Sequence, residues 1–213
     1  MSKPTIGFIG LGIMGHGMAT NIQKAGYPLV ALAHRKRAAI DALIAEGAEE
    51  VKTPREMAAR CDMIHLCVTG SPQVEANLRG PSGLLAGLKP GAIIIDCATS
   101  DPVSTLTMAE ETTAAGGHFA DAPLARTPKE AWAGKLDTMV GADDAVFEKI
   151  KPVLDTWAGV ITHLGPVGLG HKMKLINNFI AMGYAPLYAE ALAISRKAGL
   201  TVEQVDSVKP KRA

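Results

Sequence analysis

The chain has 213 residues, 47% hydrophobic and 20% charged, and its 22 basic and 21 acidic side chains give a net charge of +1. That balance supplies a core for one large domain, or one domain and part of another, and excludes a global field directed at nucleic acid or an anionic membrane. No run of about 18 apolar residues is present to span a bilayer, and the three cysteines form no CxxC pair, which fits buried free thiols in a reducing, cytoplasmic setting.

From Thr5 to about Ile161, short β-rich runs alternate with amphipathic helical patterns, as in a parallel sheet wrapped by helices. The first run, Thr5–Ile9, leads into "GLGIMGHG", where Gly10, Gly12 and Gly15 have GxGxxG spacing. Five glycines between Gly7 and Gly17 suit a loop and exclude a signal peptide. A strand before the loop and a helix after it are the context that turns a loose glycine pattern into a dinucleotide fingerprint. Gly10 permits the tight turn, Gly12 the approach of pyrophosphate and Gly15 the contact of helix with sheet, with Ile13 and Met14 beside them. Pyrophosphate then rests on the free N–H groups of the helix start.

The second strand, Leu29–Ala33, is followed by His34-Arg35-Lys36-Arg37. An NAD site places an acid here to accept from the ribose 2′-hydroxyl, whereas a basic run suits a 2′-phosphate. His34 and Arg35 are therefore cofactor candidates, and NADP is the expected cofactor, with NAD possible; a solvated basic helix start is the plain alternative.

Further strands are expected at Met63–Val68, Ala92–Asp96, Phe119–Asp121, Asp137–Val140 and Val160–His163. Val68, Thr69 and Thr99, at the carboxyl ends of two of them, join the cofactor candidates. Helix starts are marked by Thr53-Pro54 with Glu56 as a capping box, by Ser71-Pro72 and by Asp101-Pro102. After Gly165 the pattern becomes one helix from about Gly168 to Gly199, about 45 Å long at 1.5 Å per residue, with Pro186 as a potential kink. Its apolar residues cover more than one face and need neighbours that the preceding domain supplies only in part, so a homodimer or larger assembly is expected. The domains are expected at 1–165, the dinucleotide-binding part, and 166–213, the long helix and the start of a helical domain.

In "GLGHKMKLINNF", Lys172 and Lys174 are separated by roughly 200° around the helix and point to opposite sides. Asn177 and Asn178 lie three and four residues after Lys174, on its own face. A lysine flanked by amides beside a cofactor cleft is equipped to exchange a proton with a carbonyl oxygen, its pKa drawn down by burial. The plain alternative is a snorkelling surface lysine. The six histidines form no HExxH, so no metal is expected, and no Gly-x-Ser-x-Gly elbow supports acyl transfer.

Four stretches in this order, "FIGLGIMGHGMATNI", "DCATSDP", "DAPLARTP" and "GLGHKMKLINN", resemble the signatures of the β-hydroxyacid dehydrogenases, the family of 3-hydroxyisobutyrate dehydrogenase. The resemblance implies a Rossmann-type doubly wound α/β domain followed by a long helix that opens an all-helical domain, and relatives that continue past the end of this chain. It also implies that Lys174 is the catalytic acid/base of GxGxxxKxxxN, with Asn177 and Asn178 near the substrate. The commonest family loop resembles DAPVSGG. Here Ala125-Arg126-Thr127 replace its small residues, as in the branch containing sulfolactaldehyde reductase, where this arginine binds an anionic tail. Arg126 and Thr127 thus become substrate candidates, with an ion pair from Arg126 to Asp121 or another acid as the alternative. The function expected is NAD(P)-dependent reduction of a small anionic semialdehyde, or oxidation of the matching hydroxyacid. The rivals are a non-catalytic NADP-binding or assembly module and, more weakly, an imine reductase-like enzyme.

Overall fold

The computed structural model describes residues 3–33 and 36–208. A six-stranded sheet is built from β1 (Ile6–Ile9), β2 (Leu29–Leu32), β3 (Glu49–Val51), β4 (Met63–Leu66), β5 (Ile93–Asp96) and β6 (His118–Asp121). Their spatial order is β3-β2-β1-β4-β5-β6 and every neighbouring pair is parallel. Helices α1 (Gly15–Lys24), α2 (Ala38–Ala45), α3 (Pro54–Ala58), α4 (Ser71–Leu78) and α5 (Pro102–Ala114) connect them.

The central strands β1, β4 and β5 are buried along their whole length, as strands covered on both faces must be. Alternate residues feed two separate cores. Ile93 and Ile95 pack with Phe8, Met18 and Trp157 on one face, while Ile94 packs with Ile64, Leu66 and Met57 on the other. The direction of chain progression reverses between β1 and β4, so a crevice opens beyond their carboxyl ends. This is the doubly wound α/β arrangement expected from the alternating pattern.

A smaller sheet follows, with β7 (Leu124–Ala125), β8 (Leu136–Val140) and β9 (Ala158–His163); β7 is antiparallel to β8, and β8 parallel to β9. Helices α6 (Pro128–Ala133) and α7 (Asp144–Leu154) belong to this part. An antiparallel bridge between Asp121 and Gly141 joins the two sheets.

Local chemistry explains the helix starts. Thr53 accepts from the Glu56 amide and Asp101 from the Val103 amide, as their sequences imply. Ser71 differs: Gly70 is the N-cap of α4, and the Ser71 hydroxyl instead accepts from the Asp101 amide at 2.7 Å, tying the loops after β4 and β5 together.

The chain divides into one unit spanning Met1–Lys174 and a second spanning Leu175–Ala213. A continuous helix α8 (Leu169–Lys197), with Pro186 in its interior, runs across the boundary. In the second unit α9 (Val202–Ser207) begins with a capping box, Thr201 with Gln204. Phe179, Met182 and Leu187 are exposed there, so the helix is apolar on several faces. No helix among the described residues is long and apolar enough to cross a membrane.

Candidate active site

The crevice beyond β1 and β4 is a cleft of about 680 Å³. The glycine loop from Gly10 to Gly15 forms one wall, and Leu32, Ala33 and Lys36 lie where β2 ends. Cys67, Val68 and Thr69 follow β4, and Gln73 and Asn77 come from α4. Each glycine of the fingerprint has its own physical reason. Gly10 has φ +100°, and a Cβ there would lie 2.2 Å from the Cys67 carbonyl oxygen. A Cβ on Gly15 would lie 2.0 Å from the Gly10 carbonyl oxygen, so the helix start presses on the turn. At Gly12 a Cβ would meet nothing within 4 Å, which leaves the backbone open to a ligand.

The start of α1 fits an anion. It has no side-chain cap and no acid in its first turn, so its amides and dipole face the cleft uncompensated. Ile13, 76% exposed on this loop, is an apolar side chain that a bound dinucleotide would cover. The Cys67 thiol in the wall is pushed up to about 12 by burial and is no nucleophile. Among the described residues no group of His, Cys, Asp and Glu is arranged to hold a metal ion.

At the ribose end the basic run separates by role. Lys36 lines the cleft. Arg37 turns away to an acid pair, with Nη1 and Nη2 each 3.0 Å from Glu50 and Nη2 2.9 Å from Asp41. His34 and Arg35, named above as cofactor candidates, lie outside the described residues.

Beyond β5 and β6 lies a second constellation. Asp96, buried at the end of β5, accepts from the Ala98 amide at 2.9 Å and the Ser100 hydroxyl at 2.8 Å, which folds the loop carrying Thr99. Thr99 itself is exposed, and Gly70 packs by its carbonyl. Burial pushes the Asp96 carboxyl up to about 6 against those two donors. Asp121, buried at the end of β6, accepts from the amides of Gly168 at 2.6 Å and His171 at 2.7 Å. Its pKa is raised by burial and pulled back by these donors. A Cβ on Gly170 would lie 2.4 Å from the Met139 carbonyl oxygen and 2.8 Å from Asp121 Oδ2, so α8 begins in direct backbone contact with both sheets.

Lys174 leaves α8 one turn later, half-buried, and burial lowers its pKa below the usual lysine range. Lys172 is exposed. Asn177 is exposed and Asn178 half-buried, further along the same helix in the second unit. Arg126 is exposed, and its Nε pairs with Asp137 at 2.7 Å, not with Asp121. Its φ of +82° places a non-glycine residue in the left-handed region, at the position where the DAPVSGG loop has glycine. The hydroxyl and amide of Thr127 are both engaged by the Glu130 carboxylate at the start of α6.

The first unit therefore brings the glycine loop, Val68, Thr69 and Lys36 to one cleft, and sets Lys174 one turn beyond the anchored start of α8. Sequence reading missed Gln73 and Asn77, which carry no motif. It also gave Asp96 and His171 no role, and Asp121 only that of a potential partner of Arg126, although all three lie inside the signature stretches "DCATSDP", "DAPLARTP" and "GLGHKMKLINN".

Residues 5–165 match the NAD binding domain of 6-phosphogluconate dehydrogenase. The chain is 38% identical over 203 residues to 2-(hydroxymethyl)glutarate dehydrogenase of Eubacterium barkeri, covering 95% of this chain and 67% of that protein. It is 37% identical over 194 residues to 2-hydroxy-3-oxopropionate reductase of Escherichia coli (strain K12), covering 91% and 66%. Among solved structures, 3-hydroxyisobutyrate dehydrogenase of Mycobacterium tuberculosis, determined with L-serine, superposes with a TM-score of 0.90 at 28% identity, over 97% of this chain and 69% of that one. The chain thus spans about two thirds of the length of these relatives. With a doubly wound NAD(P)-binding unit, the glycine fingerprint in its structural context and these matches along nearly its whole length, the chain belongs to the β-hydroxyacid dehydrogenase family.

Proposed function

We propose that the chain is the cofactor-binding and lysine-bearing part of an NAD(P)-dependent oxidoreductase that reduces a small anionic semialdehyde, or oxidises the matching β-hydroxyacid. The observation that carries this reading is Lys174: a half-buried lysine, its pKa lowered by burial, on a helix anchored at the carboxyl end of a dinucleotide-binding sheet. The relatives, by their names, act on small carboxylates, which fits an anion-binding arginine in the loop after β6.

The nicotinamide supplies the hydride. Lys174 donates a proton to the carbonyl oxygen as negative charge develops there, and takes it back from the alcohol in the reverse direction; a lowered pKa brings the ammonium closer to the working pH. Arg126 holds the anionic tail and Thr127 closes that loop; Asn177 and Asn178, of the second unit, are further substrate-binding candidates. Thr99 and the loop after β4 bound the nicotinamide end. Lys36, with no acid where β2 ends, favours NADP over NAD. The exposed apolar side chains of the second unit favour a dimer or larger assembly, which light scattering would test.

The decisive experiment titrates NADPH and NADH, then measures turnover on a panel of semialdehydes, with the parent chain and Lys174→Ala. Unchanged cofactor affinity with turnover reduced by about 10²–10⁴ supports the reading. Binding without turnover in the parent chain supports a cofactor-binding module instead.

A further inference from the structure

Positioning an acid/base to within a fraction of an ångström requires more than a helix, because helix starts fray and a misplacement of about 1 Å can cost about 10²-fold in rate. His171, three residues before Lys174, leaves the same side of α8 about one turn earlier. It is fully buried. Its backbone amide is held by Asp121 at 2.7 Å. Its ring Nε2 lies 3.1 Å from the Ala98 carbonyl oxygen, and its Nδ1 lies 2.7 Å from the Thr105 hydroxyl on α5.

We propose that His171 is a positioning residue: bridging Thr105 and the Ala98 carbonyl while Asp121 holds its amide, it fixes the helical turn from which Lys174 projects. The proposal rests on Lys174 as acid/base.

The bonding pattern assigns the protons. A carbonyl only accepts, so Nε2 carries the hydrogen. Burial pushes the imidazole down to about 4, so the ring is neutral near pH 7 and Nδ1 accepts the one hydroxyl hydrogen of Thr105, for which the Asp101 carbonyl oxygen at 3.0 Å is a second acceptor. Two buried carboxylates flank the ring, Asp96 Oδ2 at 3.8 Å from Nε2 and Asp121 Oδ2 at 3.7 Å from Nδ1. Both are already engaged, Asp96 by Ala98 and Ser100, Asp121 by the amides of α8. The ring thus works as a neutral two-ended brace between the loop that carries Thr99 and helix α5. Gly170, with no room for a side chain, lets the turn seat flush while His171 locks it.

The test reads Lys174 directly and does not depend on turnover alone. Competitive acetylation across pH, read by fragment-ion mass spectrometry with Lys172 as the reference in the same peptide, is measured for the parent chain, His171→Leu, His171→Gln and Thr105→Val. Turnover with a semialdehyde panel and NADPH affinity are measured alongside. His171→Leu and Thr105→Val are expected to move the Lys174 profile toward that of an ordinary lysine and to slow turnover at least tenfold, with NADPH affinity unchanged. His171→Gln, whose side-chain amide can still donate to Ala98, falls between. Parent-like Lys174 profiles in folded His171→Leu and Thr105→Val overturn the proposal, as does a loss of NADPH affinity in step with turnover. If His171→Leu fails to fold, Thr105→Val decides. Full turnover in Lys174→Ala would remove the acid/base reading, while the labelling would still judge whether His171 holds Lys174 in place.

Discussion

Asp121 Oδ2 accepts the backbone N–H of His171 at 2.7 Å, and its Oδ1 accepts that of Gly168 at 2.6 Å. Helix α8 has no acid in its own first turn, so a carboxylate from the sheet, 47 and 50 residues earlier in the chain, serves as its cap. Both oxygens are used, and an amide group in their place would turn one N–H₂ toward an N–H. Asp121→Asn is therefore expected to cost about 2–3 kcal/mol of stability, the penalty of an unsatisfied buried donor plus a lost charge-assisted bond. Urea denaturation of the two proteins measures it.

Gly170→Ala gives a test in which the sign is informative. In an open helix the change would stabilise by up to about 1 kcal/mol. Here the new Cβ would lie 2.4 Å from the Met139 carbonyl oxygen, and backbone cannot rotate aside as a side chain can. We expect a net loss of about 2 kcal/mol, in the range of overpacked cores. A rise in melting temperature would show that the start of α8 is not seated as described.

These contacts also mark the limit of what the sequence displays. Strands β1, β4 and β5 are legible because burial on both faces makes their sequences near-continuous apolar runs, interrupted by His65 in β4 and closed by Asp96 in β5. Strand β3 is not: Glu49 and Glu50 are exposed and only Val51 is buried, as an edge strand allows. Ser71 carries a cap signature, yet its hydroxyl is taken by the Asp101 amide, 30 residues away. Lys174 stands out because two amides share its helical face. The Asp121 cap and the His171 brace are invisible locally, since their partners come together only when β6, α5 and α8 have docked. A buried strand ending in aspartate, and the place of both residues inside the signature stretches, are their traces.

Arg126 separates stability from binding. At φ +82° it carries backbone strain, and its pair with Asp137 is exposed and screened by solvent. Arg126→Gly relieves the strain at the cost of a more flexible unfolded chain. Stability is expected to stay within about 1 kcal/mol of the parent, while KM for a carboxylate or sulfonate semialdehyde rises at least tenfold. An unaltered KM would remove Arg126 from the substrate site.

Lys36 and Arg37, the two described cations of the basic run after β2, make opposite predictions. Lys36 lines the cleft, whereas Arg37 is occupied by Glu50 and Asp41. Lys36→Ser is expected to weaken NADPH several-fold and leave NADH unchanged. Arg37→Ala is expected to change the affinity of both cofactors alike, and by little. Fluorescence titration of the two nucleotides checks both, and equal affinities of the parent for NADH and NADPH would end the case for a 2′-phosphate site.

His65 predicts how the fold responds to acid. Its ring lies in the core, stacked 5.6 Å from Phe8 and edge-on at 6.1 Å to Trp157, and neither ring nitrogen has a hydrogen-bond partner among the described residues. Burial pushes its pKa from 6.5 down to about 3. A depressed folded-state pKa means that the unfolded chain binds the proton first. Stability from keeping His65 neutral is complete above pH 6.5 and is lost as pH falls toward 3, a loss on the order of 4 kcal/mol if it acts alone. His171, pushed down to about 4, adds loss in the same direction. Asp96, pushed up to about 6 from 3.8, acts oppositely: its folded form keeps a proton that the unfolded chain releases, so its share of stability falls as pH rises between those values. His65→Phe keeps an aromatic ring in the stack and removes two unpaired nitrogens, so stability at pH 7 should be equal or higher. Between pH 6.5 and 4 the variant should lose less stability than the parent, and urea denaturation at several pH values gives both slopes. Parallel slopes would mean that His65 is hydrated and titrates normally in the folded protein.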